Sequence, residues 1–474
     1  MTELRADGAM TEQPTQRRGV MQSLTGLSVR YVERLMPDPY LFAVILTLIV
    51  AGMVAALVRG ASASGMLTAW YAGVWGPQNI FTFAFQMALI LVTGYTLAEA
   101  PVLKRAIVRV AAVPRNQVQG ALLCFTVSAA ASLLNWGLGL VAGALVARQV
   151  ARRFPDSHFG YLIAAAFMGF IVWTQGLSSS IALANTDAGS PINVIHKIAG
   201  FTVPLSQTIF QPYSWLSALI VLGVLALAVW RMEPSESLPP DSAVFEDDIA
   251  AVEIPAGKTF AEWLENQWIL NVLLFAAGIT YFVTSGFALN ISSMIMLFTI
   301  TAALLHRTPI RFIRAFTGAA KVSGPLLLQY PLYGGLVGLL AYQGAEGSKP
   351  LQTLLAQTLV NGATEYTLPF LTFIGSVIIS LFVPSGGGHW AVQGPIAVDS
   401  ALAIGQQSPA YLGLVSMAVA VGEGVANMIQ PFWLLPLLAI AKLNVRQVMG
   451  FTIVAFVIGL VILGAMTLIA PWVI

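Results

Sequence analysis

Long apolar runs separated by short polar segments dominate the chain. No Asp, Glu, Lys or Arg occurs in residues 60–98, 198–230, 266–305 or 447–474. A bilayer's hydrocarbon core is about 30 Å thick and takes roughly 20 apolar helical residues to cross. These runs therefore predict membrane helices over 40–58, 81–97, 214–230, 268–284, 291–305, 322–340 and 449–468. The period-two alternation of a membrane barrel is absent.

Loop cations set the orientation, because Lys and Arg collect on the cytoplasmic side. The first span runs outward and the second returns to Lys104, Arg105, Arg109 and Arg115. The next apolar stretch, 118–150, then breaks the rule, since it starts after Arg115 and ends on Arg148, Arg152 and Arg153. As one helix its 33 residues would be about 50 Å long, too long for one crossing and too short for two with a turn. A re-entrant hairpin with its tip at Asn135, Trp136 and Gly137 resolves the conflict. Irregular backbone at that depth is tolerated only where it is buried in protein or lines a cavity.

After the hairpin, a helix over 161–173 stops at Gln175-Gly176 and gives way to a polar stretch, 178–193, with Asn185, Thr186 and Asp187. This reads as a broken helix. The pattern returns later in the chain. Residues 322–340 carry Gln329 as 81–97 carry Gln86, and a weakly amphipathic run, 351–360, matches 102–113. A second hairpin follows, with arms 368–383 and 390–404 around Pro384, Ser385, Gly386, Gly387, Gly388 and His389. A second broken helix is then expected over 411–421, interrupted at Gly422-Glu423-Gly424. The tip-to-break spacings are 41 residues from Asn135 to Gly176 and 39 from Ser385 to Gly424. Gln86 lies on an inward-running helix and Gln329 on an outward-running one, so the repeats are inverted.

The resulting map has a cytoplasmic tail (1–36), a first membrane repeat (37–231, hairpin 118–150, broken helix 161–200) and an acidic cytoplasmic loop (232–265). Linking spans (266–321), a second repeat (322–441, hairpin 368–404, broken helix 411–441) and a final span (442–474) follow. The tail is too long for a cleaved signal peptide; Lys442 and Arg446 lie inside, which puts the C-terminus outside. The fold class is all-α and polytopic. Inverted repeats with paired broken segments point to a secondary transporter whose substrate sits between the halves.

Composition agrees: 57% of the 474 residues are hydrophobic and 9% charged, against about 25% charged in soluble domains. The net charge of +2 reports topology and implies no nucleic-acid partner. With Cys124 as its one cysteine, the chain can build neither a disulfide nor a zinc cluster.

Hairpin tips and helix breaks expose unpaired backbone N–H and C=O groups, and helix N-termini attract anions. Asn135, Ser178, Ser179, Ser180, Ser385, Asn427 and Gln430 add neutral donors, so the interruptions form a candidate carboxylate cage. The alternative is that glycines and small polar residues serve close helix packing. Consecutive glycines weaken a helix by about 1 kcal/mol each, which favours a functional tip for residues 385–389. His389 is the one histidine of four in a predicted span and is a candidate proton carrier, substrate ligand or hairpin brace. Glu423 is a membrane-embedded carboxylate that could carry a proton, bind Na⁺ or bond the break. Neither tip nor break holds Lys or Arg, which favours a monoanion. Trp136, Trp173, Trp390 and Trp433 either wall an alkyl tail or simply pack.

Five segments carry a family resemblance: PDP (37–39), FQMALILVTGYTLA (85–98), NWGLGLVAGALVARQVARR (135–153), VPSGGGHWAVQGP (383–395) and NMIQPFWLLPLLAIA (427–441). Together they closely resemble the bacterial short-chain fatty acid transporters associated with acetoacetate and butyrate uptake. The resemblance runs from about Val29 to the C-terminus and fails in the leader and the acidic loop. It implies an ion-coupled, inverted-repeat, elevator-type transporter of the inner membrane, with a homodimer and lipid as partners. QGLSSS (175–180) departs from a more glycine-rich family pattern.

On this basis a monocarboxylate is expected between the Asn135 and Ser385 tips. The expected contacts are Asn135, Trp136, Gly137, Ser178–Ser180, Ser385–His389, Gln393, Asn427 and Gln430. Glu423 and His389 are the coupling candidates for H⁺ or Na⁺, with a Na⁺ position near Asn135, Ser385 and Asn427 and no other cofactor. No catalytic residue is expected. A passive channel or a carrier of another carboxylate are the alternatives. An intramembrane hydrolase using Ser385 and His389 is remote, because both sit on one turn and not on opposed elements.

Overall fold

A computed structural model describes residues 39–76, 81–190, 192–245, 259–287, 289–360, 362–381 and 386–474. Among these residues the chain is helical throughout, with one isolated bridge between His158 and Leu238. The first half contains α1 (Pro39–Leu57), α2 (Ala63–Val74), α3 (Phe81–Ala98), α4 (Pro101–Ala111), α5 (Gln117–Leu134), α6 (Trp136–Arg153), α7 (Phe159–Gly169), α8 (Ser180–Asn185), α9 (Val194–Ala199) and α10 (Pro212–Arg231). The short α11 (Phe260–Glu265) leads into α12 (Trp268–Thr284), α13 (Ile291–His306) and α14 (Pro309–Ala320). The second half contains α15 (Gly324–Leu340), α16 (Leu351–Val360), α17 (Leu368–Ser380), α18 (Gly386–Ala403), α19 (Pro409–Ala426), α20 (Pro431–Ala441) and α21 (Arg446–Ile469).

Five stretches among the described residues are long and apolar enough to cross a bilayer: Gln117–Leu134, Phe159–Asn185, Pro212–Arg231, Pro409–Ile429 and Arg446–Trp472. In an 18-residue apolar segment of Phe159–Asn185 and of Pro409–Ile429, 94% of the residues are buried, against 39–44% in the other three. The two interrupted helices are thus the centre of the molecule, and the remaining spans turn apolar faces outward, including Trp215, Leu219 and Ile220 of α10.

The chain folds back at Asn135. Its backbone is extended there (φ −156°, ψ 124°), and its side chain caps α6 by accepting from the Leu138 N–H at 2.9 Å. Such a cap satisfies one of the helix's orphan donors. The two arms then pack antiparallel, with Gly120 against Val150, Gly143 against Ser128 and Gly139 against Ser132. At 18 residues each the arms run about 27 Å, longer than the 118–150 stretch suggests.

The first interruption matches expectation. Helix α7 tightens into a 3₁₀ turn, Phe170–Gln175, and Gly176 is extended before α8 begins. A side chain on Gly176 would stand 2.6 Å from the Leu133 Cα, so the break packs directly on the hairpin arm.

Two expectations in the second half are corrected. Gly422-Glu423-Gly424 does not break the helix: α19 runs unbroken to Ala426, a 3₁₀ turn covers Asn427–Ile429, and the interruption falls at Gln430 (φ −105°, ψ 123°). Pro431 is the cause, since it lacks an N–H and pushes the preceding residue out of helical geometry. The two glycines instead allow close approach, of Ser376 at Gly422 and of the Ile171 carbonyl at Gly424. The spacing from Ser385 to this break is 45 residues, not 39. The second correction concerns the triglycine, which is helical and forms the first turn of α18. Residues 382–385, including the predicted tip residue Ser385, lie outside the described residues.

The halves are packed in parallel fashion. In the first, α5 lies on α7 and on α10; in the second, α17 lies on α19 and on α21. Each half also reaches into the other, α20 onto α6 and α9 onto α18. The sequence pattern did not reveal α2, which packs along α15 where Gly73 and Gly338 face each other.

Candidate site at the hairpin tips and helix breaks

The first hairpin tip and the first break enclose a small recess of about 20 Å³, lined by Asn135, Trp136, Ser178 and Ser180 with Ile90, Leu134, Leu177, Leu183 and Met294. Four of the predicted site residues therefore meet in one place. The Ser178 hydroxyl is buried without a hydrogen-bond partner. Ser179 turns away to cap α8, accepting from the Ala182 N–H at 3.4 Å. Gly137 lies outside the lining and permits contact with α3, since a methyl there would sit 2.9 Å from the Leu91 Cα.

The second hairpin meets the same region through Gly386. A methyl on Gly386 would stand 3.1 Å from Glu423 Oε2, 3.1 Å from Trp173 Cη2, and against the Ser180 hydroxyl of the recess. Glu423 is fully buried, and neither carboxylate oxygen has a hydrogen-bond partner. Removing a charge from water without a partner costs several kcal/mol, which makes this carboxylate the most demanding group in the interior.

An aromatic layer joins the two halves. Trp136 meets Trp433 edge-on at 5.0 Å, Trp173 lies 5.6 Å from Trp433, and Phe170 stacks on Trp173 at 5.7 Å. Two crossed hydrogen bonds also join the halves. Trp173 of the first half donates to Asn427 Oδ1 at 3.0 Å, and Trp390 of the second donates to Asn185 Oδ1 at 3.1 Å. Each break thus supplies an asparagine that receives the indole N–H of the other half. Asn185 was not among the predicted site residues; its visible signal was its place in the polar stretch after the first break.

Three predicted contacts act as braces. His389 Nε2 donates to Gln393 Oε1 at 2.6 Å, and Gln393 Nε2 donates to the Thr372 carbonyl at 2.8 Å, which ties α18 to α17. Gln430 donates to the Ser380 carbonyl at 2.8 Å and so binds a carbonyl in the last turn of α17. Gly387 and Gly388 are buried beside Gly386 in the first turn of α18. Among the described residues no group of three His, Cys, Asp or Glu side chains could hold a metal ion.

Central broken helices, polar groups gathered at their interruptions and apolar outer faces define a membrane-embedded solute-handling protein. The family model described as short chain fatty acid transporter matches residues 20–469. A relative from Escherichia coli (strain K12) is 37% identical over 446 residues, covering 91% of this chain and 97% of that protein. One from Haemophilus influenzae is 34% identical over 450 residues with the same coverage. Both carry a provisional name as short-chain fatty acid transporters. The chain belongs to the short-chain fatty acid transporter family and is an integral membrane protein. The crystal structure of the Alcanivorax borkumensis YdaH transporter aligns over 92% of this chain and 99% of its own, with a TM-score of 0.49 and 15% identity.

Proposed function

We propose that the chain is a secondary active transporter of short-chain monocarboxylates, of the butyrate or acetoacetate type, across the bacterial inner membrane, coupled to H⁺ or Na⁺. The observation that carries this reading is the recess at the first tip and break. It offers hydroxyl and amide groups of Asn135, Ser178 and Ser180 beside the Trp136 ring, and no Lys or Arg lines it. Such a lining offers neutral donors to one carboxylate and no fixed countercharge to a dianion, and the recess, about 20 Å³ in this conformation, has to widen to admit the acid.

The same proposal takes the halves as inverted repeats, each with a re-entrant hairpin, moving by an elevator mechanism within a homodimer in lipid. Parallel packing of α5 on α7 and α17 on α19 supports the repeat, as do the crossed Trp–Asn bonds. The cation distribution supports a cytoplasmic N-terminus and an external C-terminus. Glu423 and His389 are the coupling candidates. A Na⁺ near Asn135, Ser385 and Asn427 is the competing coupling site. The proposed domain boundaries are those of the sequence map.

Uptake of labelled butyrate and acetoacetate into proteoliposomes, with Na⁺ and H⁺ gradients imposed separately and protein-free vesicles subtracted, tests the reading. Saturable accumulation against a gradient is expected, reduced by Ser178→Ala with folded protein retained. Facilitated flux that only equilibrates the acid would make the protein a channel.

A further inference from the structure

We propose that the membrane face where α3 and α13 end binds the headgroup of an anionic phospholipid between α4 and α14, with Lys104, Arg307 and Arg311 as its cationic contacts. The acyl chains run along the exposed apolar flank of the same two helices. The inference is independent of which acid is transported.

His306 pins the two long helices at one level. It is the last residue of α13, is buried, and its Nε2 donates to the Thr96 carbonyl near the end of α3 at 2.8 Å. From that level each long helix hands over to a shorter one that opens with proline, α4 at Pro101 and α14 at Pro309. Helix α4 leaves α3 at 70° and so turns toward the membrane plane. It packs on α6 and α13, while α14 packs on α3 and α13.

Both short helices have three sides. On α4, Leu103, Ile107 and Ala111 recur every four residues and face the protein, whereas Val102 and Val110 are 46% and 38% exposed. Lys104, Arg105 and Arg109 form its basic side, with Val108 between them. On α14, Phe312, Ala315 and Ala319 turn inward, Ile313 is 51% exposed, and Arg311 and Arg314 are exposed and basic. This is the pattern of a helix lying in the interface, apolar toward acyl chains and basic toward headgroups.

The basic sides meet at His306. Lys104 and Arg311 approach it from the two helices, each near enough to act on its ring, and Arg307 follows it directly. Residues 100–155 and 266–345 hold no Asp or Glu. Glu99, at the end of α3, pairs with Lys104 at 2.5 Å, and the Lys104 side chain is still 46% exposed. Orientation of the chain needs cations in these loops, but it does not need two helices to bring them to one point. A phosphodiester headgroup carries one negative charge and several acceptor oxygens, and clusters of Lys and Arg at the membrane surface recognise such lipids. The apolar flank beside the cations selects a lipid over a soluble anion.

Thermal midpoints of the purified protein in neutral detergent, titrated with phosphatidylglycerol, phosphatidylcholine or inorganic phosphate, test this. Phosphatidylglycerol is expected to raise the midpoint saturably, because its headgroup joins α4 to α14, and to do so less at high salt. Phosphatidylcholine and phosphate are expected to leave the midpoint unchanged. Lys104→Gln combined with Arg311→Gln should weaken the apparent affinity for phosphatidylglycerol at least about tenfold. Arg59→Gln combined with Lys349→Gln, an equal charge change beyond the far end of α15, should not. Equal responses of the wild type to phosphatidylglycerol and phosphatidylcholine, or an undiminished response in the Lys104 and Arg311 double variant, overturn the proposal. A response to inorganic phosphate equal to that of the lipid also overturns it, in favour of a soluble-anion site. The wild-type comparison of the three additives decides the question even where a variant fails to fold.

Discussion

The two hairpins solve the same geometric problem with different chemistry. The first turns at Asn135, whose own side chain caps the returning helix and whose neighbours are hydroxyl groups and an indole. The second returns through Gly386, Gly387 and Gly388, and what faces its first glycine is a buried carboxylate from another helix. The first hairpin therefore contributes shape and neutral donors, whereas the second brings its helix end against the only buried carboxylate of the described interior.

Steric probes should break that comparison most sharply. Gly386→Ala places a methyl against Ser180, Trp173 and Glu423. Overpacking of this kind costs about 1–3 kcal/mol, and we expect uptake to fall at least about tenfold, equivalent to 1.4 kcal/mol in a barrier, with normal membrane insertion. Unchanged uptake would remove the second hairpin from the site. Gly137→Ala at the first tip meets backbone atoms of Ile90 and Leu91 that cannot step aside, so its expected defect is loss of folded protein.

The crossed tryptophans test whether the halves are equivalent in stability. Asn427→Ala and Asn185→Ala each leave a buried indole N–H unpaired, a loss of about 1–3 kcal/mol. Similar drops in thermal midpoint in detergent are expected for both. A much larger effect at one position would show that the two locks carry unequal load.

A smaller effect separates capping from substrate contact at Asn135. Asn135→Ala forfeits the cap, about 1 kcal/mol, while Asn135→Ser retains one. If the amide also touches the acid, both variants lose apparent affinity, but only the alanine loses thermal stability.

The smallest expected effect lies outside the membrane spans. His158 precedes α7, its Nδ1 accepts from the Tyr161 N–H at 3.1 Å, and burial holds its pKa below the usual 6.5. The folded protein therefore disfavours the imidazolium, and the unfolded chain binds the proton more readily. Stability from this group is complete above about pH 6.5 and declines as pH falls through the folded value. His158→Asn, which can cap without titrating, should flatten the acid side of a pH–stability profile; an unchanged profile would assign that slope elsewhere.

Charge and apolar patterning made much of the fold legible. The span Trp268–Thr284 was predicted to the residue, because spans end where polar side chains begin, and the weakly amphipathic run 351–360 coincides with α16. The fold-back at Asn135 followed from cations at both ends of one apolar stretch. Helix α2 escaped notice because its apolar residues are interspersed with Ser, Thr and Gly, which here serve close packing on α15. The second interruption was misplaced for a related reason: a glycine pair reads locally as a break, yet Gly422 and Gly424 were needed for contact while Pro431 set the break.

The candidate site was legible as a set of residues and not as an arrangement. Composition and order alone determined that the chain is helical and membrane-embedded, that its polar interruptions are concentrated at two hairpin turns and two helix breaks, and that a lone carboxylate, Glu423, sits in an apolar stretch. These follow from one-dimensional properties, the cost of placing charge and unpaired backbone in hydrocarbon. Only the tertiary structure decided which interruptions touch: that Asn135 and Ser178 share a recess, that Gln393 and Gln430 brace backbone, and that Gly386 brings Ser180 and Glu423 together. Those contacts join residues from 21 positions apart, at Gln393 and Thr372, to 206 apart, at Ser180 and Gly386, and their distances are set by packing between helices, which no local pattern records.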